Sequence, residues 1–300
     1  MNILGKRKIW YLISGIFLIA SIASLSVWRL KPGIDFAGGT LWELEFKNAT
    51  NKNAIVDVLK EQGISPIVSS TGANSYLIKM QTIDQAQKEK ILQGLSTKVG
   101  ESAEKSYQTV GPTVSKDLRK KAIIAVILAS IAIIFYIAWA FRGVPRPASS
   151  WRFGICAILA LTHDLIIALG LYSILGHFIG VEVDSLIIVA LLTIMGFSVH
   201  DTIVVFDRIR ENLKKNPSYS FEQNCNNAIV QTMARSLNTS LTVILVLLTL
   251  FLLGGASIKY FVLGLLVGIT AGTYSSIFVA SPLLVTWQNF SIRKKGKLTS

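Results

Sequence analysis

Two histidine–aspartate pairs, His163-Asp164 and His200-Asp201, stand inside runs otherwise apolar enough for a lipid bilayer. From Ser185 to Val205 nearly every residue is apolar or small, and a helix of that length rises roughly 30 Å, the hydrocarbon thickness. A carboxylate in lipid costs about 2.5 kcal/mol or more, so it is kept neutral, paired, or beside a wet path. Desolvation raises a carboxyl pKa and a nearby cation lowers it again, so a group between the two influences can load and release a proton near neutral pH. Asp201 is therefore the candidate proton carrier. Its candidate partner is Arg235, just before Ser236-Leu237-Asn238-Thr239-Ser240-Leu241-Thr242, where a later apolar run begins. If the guanidinium approaches and retreats as helices shift, proton affinity changes with conformation. The plainer reading makes Arg235 a snorkelling anchor at the membrane surface.

Around these two the sequence offers a supporting polar seam of His200, Thr202, His163, Asp164 and Asp207. Asp164 lies about 11 residues, roughly 17 Å, into its span. The alternative for Asp164 and Asp201 is packing, each carboxyl binding a neighbouring helix's hydroxyl or backbone. Ser198, Thr239, Ser240 and Thr242 are placed to hydrate a path or bridge helices, and Gly196 and Ser198 permit close packing. Asp207, Arg208, Arg210 and Glu211 read as a helix end leaving the membrane, with Asp207 able to pair Arg208 or Arg210. Gly264, Gly268 and Gly272 recur every fourth residue, a helix-packing ridge. No phosphate-cradling loop, zinc spacing or nucleophile elbow is present, which argues against an ATPase, a catalytic centre, a metal site or a cofactor. Cys156 and Cys225 lack redox spacing, and no disulfide is expected between them.

The elements that must position these groups are membrane helices. Of 300 residues 51% are hydrophobic and 16% charged, and the mean hydropathy is +0.53, the profile of a polytopic membrane protein. The net charge of +13 sits in clusters beside apolar runs, as membrane anchors contacting anionic lipid do, which argues against a nucleic-acid partner. Six apolar runs are expected to span: Ile9–Val27, Ala122–Phe141, Phe153–Leu175, Ser185–Val205, Leu237–Gly254 and Phe261–Val285. The first is longer than a signal-peptide core and reads as an uncleaved anchor. Basic connectors carrying Arg142, Arg146 and Arg152, and then Arg208 to Arg235, alternate with the acidic connector Gly176 to Asp184, and Arg293, Lys294, Lys295 and Lys297 end the chain. The positive-inside rule then predicts both termini in the cytoplasm.

Between the first two spans the composition turns soluble. Thr40–Phe46 alternates as a half-buried strand, Asn53–Gln62 has helical spacing, Pro66–Ser70 and Ser75–Met80 read as strands, Ile83–Val99 as a helix, and Ser102–Val110 as a last strand. That order, βαββαβ, predicts a small ferredoxin-like α+β domain on the extracytoplasmic side. Gly33, Asp35, Gly38 and Gly39 form its Gly-rich hinge, although an Asp closing a turn is the common use of such a residue. The expected organisation is therefore a cytoplasmic N-terminus and first helix over 1–30, the domain over 31–118, helices two to six over 119–290, and a basic tail over 291–300.

Four stretches carry a resemblance: Gly33-Ile34-Asp35-Phe36-Ala37-Gly38-Gly39, Leu161-Thr162-His163-Asp164, Gly196 to Asn212 (GFSVHDTIVVFDRIREN), and Arg235 to Thr242. With the six-span order, they make the chain similar to the SecF family of bacterial protein-export subunits, in the resistance-nodulation-division superfamily. The resemblance implies pairing with SecD into a twelve-span unit in the bacterial inner membrane and association with the SecYEG channel, with YajC and YidC as further neighbours. It also implies use of the proton-motive force to draw preproteins outward after the ATP-driven SecA step. By the same resemblance Asp201 is the proton-carrying carboxylate and Arg235 its partner. His200 stands where the family pattern leads one to expect Asn. Two rivals share parts of this design. An ion-coupled exporter of small molecules or lipids has the same membrane architecture but usually two large external domains, and a scaffold would need both carboxylates only for packing. An Asp among hydroxyls suits protons or sodium ions.

Overall fold

The computed structural model describes residues 1–143 and 149–296; Arg146 and Lys297, in the expected basic connector and tail, lie outside the described residues. It divides into two compact units, one of Pro32–Ile123 and one of Met1–Lys31 with Ile124–Ser300.

In the first of these, a short helix α2 (Ile34–Ala37) leads to β1 (Gly39–Phe46), α3 (Lys52–Glu61), β2 (Ile67–Ser70), β3 (Ser75–Met80), α4 (Gln85–Lys98) and β4 (Ser102–Val110). The sheet order is β2-β3-β1-β4, and every pairing is antiparallel. Trp42, Leu44 and Phe46 point to one face of β1 because successive strand side chains alternate, and all three are buried. They pack with Ile55, Val58 and Leu59 of α3 and Ile91 and Leu95 of α4. The helices start where capping chemistry allows: Asn51 accepts from the Asn53 amide, and Asp84 and Gln87 form a capping box. Gly38 and Gly39 have φ of +78° and +132°. At Gly39 a Cβ would lie 2.8 Å from the Met80 carbonyl oxygen, so the entry to β1 has no room for a side chain.

The membrane unit is helical. α1 (Arg7–Val27) follows a 3-10 turn at Leu4–Lys6, and α5 (Pro112–Ala140) runs on from β4. α6 (Ser150–Ile179), α7 (Ser185–Lys215), α8 (Phe221–Leu253), α9 (Lys259–Ser275), a π-helical turn (Ser276–Ala280) and α10 (Ser281–Gly296) complete it. Among the described residues six helical stretches are long and apolar enough to cross a membrane. They extend beyond the apolar runs: α7 continues ten residues past Val205, and α8 begins sixteen residues before Leu237. The expected connector from Arg208 to Arg235 is thus mostly helix. Its turn is closed by Asn224, which donates to the Asn216 and Tyr219 carbonyls, and by a capping box of Ser220 and Gln223. Ion pairs Arg210–Asp207 at 2.5 Å and Lys215–Glu211 at 2.6 Å run along the end of α7.

One end of the bundle gathers the N-terminal turn, α10 and the α7–α8 turn. Asn226 accepts from the amides of Ile3 and Leu4, Arg7 pairs with Glu222 at 3.0 Å, and Tyr11 and Thr286 share a hydrogen bond of 2.9 Å. At the other end Ser173 donates to the carbonyls of Ser24 and Arg29, and the Val183 amide donates to Lys31. Small residues let these helices approach: a Cβ on Gly170 would lie 2.3 Å from the Ser21 Cβ.

Candidate functional site

The last spanning stretch is the centre of the polar seam. Its glycine ridge seats α9 against two neighbours, because a Cβ on Gly264 would meet the Tyr172 hydroxyl at 1.7 Å and one on Gly268 would meet Ile194 at 2.2 Å. At the third position, Gly272, the wall is Ser198 at 3.0 Å, with the Asp164 carboxylate 3.5 Å away. Backbone approach of this kind brings short hydroxyl side chains within reach of carboxylates on other helices.

Three hydroxyls, two at the end of α9 and one opening the π-helical turn, use that reach. Thr273 donates to Ser240 on α8 at 2.6 Å, Ser275 donates to Asp164 Oδ2 on α6 at 2.7 Å, and Ser276 donates to Asp201 Oδ2 on α7 at 2.5 Å. Consecutive serines thus hold the two carboxylates. Asp164 is fully enclosed and takes two further contacts, from Ser198 at 2.6 Å and from His163 Nδ1 at 2.9 Å. Asp201 is 6% exposed. A hydrogen bond to an ionised group is worth about 1.5–3 kcal/mol, enough to offset part of the cost of the buried charge.

The expected residues divide by surroundings. His163 is buried beside Tyr274, ring centroids 6.5 Å apart, and its Nε2 has no hydrogen-bond partner among the described residues. That ring borders an apolar groove of about 380 Å³ with Ile13, Phe17 and Leu266. Among the described residues the buried hydroxyls of Thr202 and Ser236 have no hydrogen-bond partner. His200 is exposed on α7, and nothing lies within 4 Å of a Cβ built on Gly196, so Gly196 makes no close helix contact among the described residues. Arg235 is exposed and lines a cavity of about 340 Å³ with Asp207, Arg208, Arg210, Glu211 and Thr232. Among the described residues no ion pair joins Arg235 to Asp201; the carboxyl meets Ser276 instead. A long cationic side chain at a helix's polar end gains hydration by pointing out, whereas a short hydroxyl loses little by staying in.

Sequence reasoning missed Thr273, Ser275 and Ser276. Their signal was present as three hydroxyl residues one turn beyond the ridge, but an apolar span hides which neighbours they meet. Cys156 and Cys225 are free and buried.

Residues 88–290 match the family model for the protein export membrane protein SecD/SecF, C-terminal. The chain is 43% identical to the protein translocase subunit SecF of Thermobaculum terrenum, over 96% of this chain and 94% of that protein. It is 41% identical to the SecF of Anaerolinea thermophila with the same coverage. The crystal structure of SecDF from Thermus thermophilus, described as a translocon-associated membrane protein, superposes with a TM-score of 0.83 at 32% identity and covers 96% of this chain. The chain spans about two fifths of that longer protein, 39% of its length.

Proposed function

Because the chain belongs to the SecD/SecF family of protein export membrane proteins, we propose that it couples proton entry at Asp201 to the outward movement of preproteins. The chain is a multi-pass membrane protein that serves Sec export as an accessory subunit. In the finer reading it pairs with a SecD subunit, an arrangement supported by a Thermus thermophilus SecDF relative of which this chain covers 40%. The pair acts at the SecYEG channel after the SecA step, with YajC and YidC as neighbours. Both termini are cytoplasmic in the inner membrane, and the domain of residues 31–118 is external. The antiparallel order β2-β3-β1-β4 with two helices supports a ferredoxin-like fold for it. Gly33, Asp35, Gly38 and Gly39 serve as its hinge.

The observation that carries the mechanism is the pair of buried carboxylates on adjacent spans, each held by a hydroxyl from the same helix end. Asp201 takes the proton, Asp164 and its donors keep the surrounding seam polar, and Arg235 swings inward from the cavity it shares with Asp207 when the carboxyl is ionised. His163, His200 and Thr202 support the seam. No bond of the preprotein is made or broken; work comes from the ion gradient.

Preprotein translocation into membrane vesicles holding the full complex tests this under an imposed pH gradient and, separately, an imposed sodium gradient. The pH gradient is expected to raise translocation in the native protein and to have no effect in Asp201→Asn, with partner assembly intact. Normal gradient-driven translocation in Asp201→Asn would sink the mechanism, and a response only to sodium would replace the proton as the coupling ion.

A further inference from the structure

We propose that Ser276 is a positioning residue whose hydroxyl changes acceptor with the proton state of Asp201 and hands that state to the π-helical turn. This rests on the reading of Asp201 as the proton carrier. A serine hydroxyl has one hydrogen to give, and Ser276 has two acceptors for it: Asp201 Oδ2 at 2.5 Å and the Thr273 carbonyl of its own helix at 3.0 Å. With Asp201 ionised, the hydrogen points across the helix interface to the carboxylate, the stronger acceptor. When hydronium delivers a proton, its O–H bond breaks, an O–H bond forms on the carboxyl, and the charge there falls from −1 to 0. The acid hydrogen then donates to Ser276 Oγ, and the serine hydrogen turns back to Thr273. Such back-bonding of Ser to a carbonyl three or four residues earlier bends helices.

That bend falls where the helix is already irregular. Ser276 opens the π-helical turn Ser276–Ala280, and its own carbonyl accepts from the Ser281 hydroxyl at 3.3 Å. Single π-turns recur at functional sites because one residue's shift re-aims everything beyond it. Ser275 repeats the choice one residue earlier, between Asp164 Oδ2 at 2.7 Å and the Gly272 carbonyl at 3.2 Å. One helix end therefore carries hydroxyls that answer to both buried carboxylates. Titratable groups on the elements packed around this pair include Arg7, Lys8 and Tyr11 on α1, His163 and Asp164 on α6, His200 and Asp207 on α7 itself, Arg235 on α8 and Tyr274 on α9.

Two readouts on the full complex test the assignment: the carboxyl C=O band of Asp201 in infrared difference spectra, identified by its loss in Asp201→Asn, and the pH profile of vesicle translocation. In Ser276→Ala the band is expected to shift and the profile to change, since the carboxyl loses its hydrogen-bond partner. Ser276→Thr should restore both. A band that stays in place in Ser276→Ala overturns the contact, and a shifted band with an unchanged profile overturns its role in coupling. Failure of the proton-carrier reading looks different: Asp201→Asn would translocate normally, whatever Ser276 does to the band.

Discussion

Asp164 is the most enclosed carboxyl in the membrane unit, and its three contacts come from three different helices or turns of helix: His163 beside it, Ser198 on α7 and Ser275 on α9. Removing an acceptor from such a set leaves buried donors unsatisfied, at about 1–3 kcal/mol each. Asp164→Ala is accordingly expected to lower the thermal melting point of the purified complex clearly more than Asp164→Asn, whose amide oxygen still accepts. Equal melting points would mean that the serines find other acceptors without cost. Arg235 is a different kind of residue, exposed at a cavity rim with no ion pair to the carboxyl it is proposed to serve. Arg235→Ala should reduce gradient-driven translocation nearly as far as Asp201→Asn; a wild-type rate would leave Arg235 as a surface anchor. Asp201 was legible as chemistry because a carboxylate in an apolar run is costly. Its contact with Ser276 was not, since hydroxyls in a span are common and their direction depends on how helices cross.

Helix α9 shows how an element sets those directions. Gly264, Gly268 and Gly272 sit against Tyr172, Ile194 and Ser198, and this close seat delivers Ser275 and Ser276 to their carboxylates. Gly268→Ala is expected to destabilise the complex by about 1–3 kcal/mol through overpacking, seen as a lower melting temperature in detergent. Gly196→Ala is the control on α7: with nothing within 4 Å of the added Cβ, it should melt within error of the native chain when the subunit is alone. A matching loss in both variants would show that the close seat of α9 does not govern the effect, since helix propensity alone favours Ala over Gly. The ridge was readable from its spacing of four, and so were the six spans. The extension of α7 was readable as far as Glu211, but the rest of it and the extension of α8 were not, because charged and amide residues there satisfy helix ends and each other instead of an apolar face.

For the whole molecule, orientation is the property that turns the site into a machine. The end of the bundle that holds Ile3 and Leu4 against Asn226 also holds Asn289 near Glu222 at 3.3 Å, so both described ends lie at one face. If that face is cytoplasmic, a cysteine placed at the exposed Ser69 should react with a membrane-impermeant thiol reagent in right-side-out cells, in a background with Cys156 and Cys225 replaced. Reaction only in inverted vesicles would reverse the topology. On α5, Ile127, Leu128, Phe135 and Trp139 are all exposed, an apolar face of the kind a membrane-spanning helix turns to lipid. The amino-acid sequence by itself determined that this is a multi-pass membrane protein with six apolar runs, which carboxylates stand inside those runs, and in what order strands and helices follow one another, because apolar period and charge are local properties of the chain. Only the tertiary structure decided which groups meet them. The serines at the start of the π-turn, the outward Arg235 and the enclosed Asp164 depend on glycine-governed helix crossings between residues up to 111 positions apart, a distance over which local pattern carries no information.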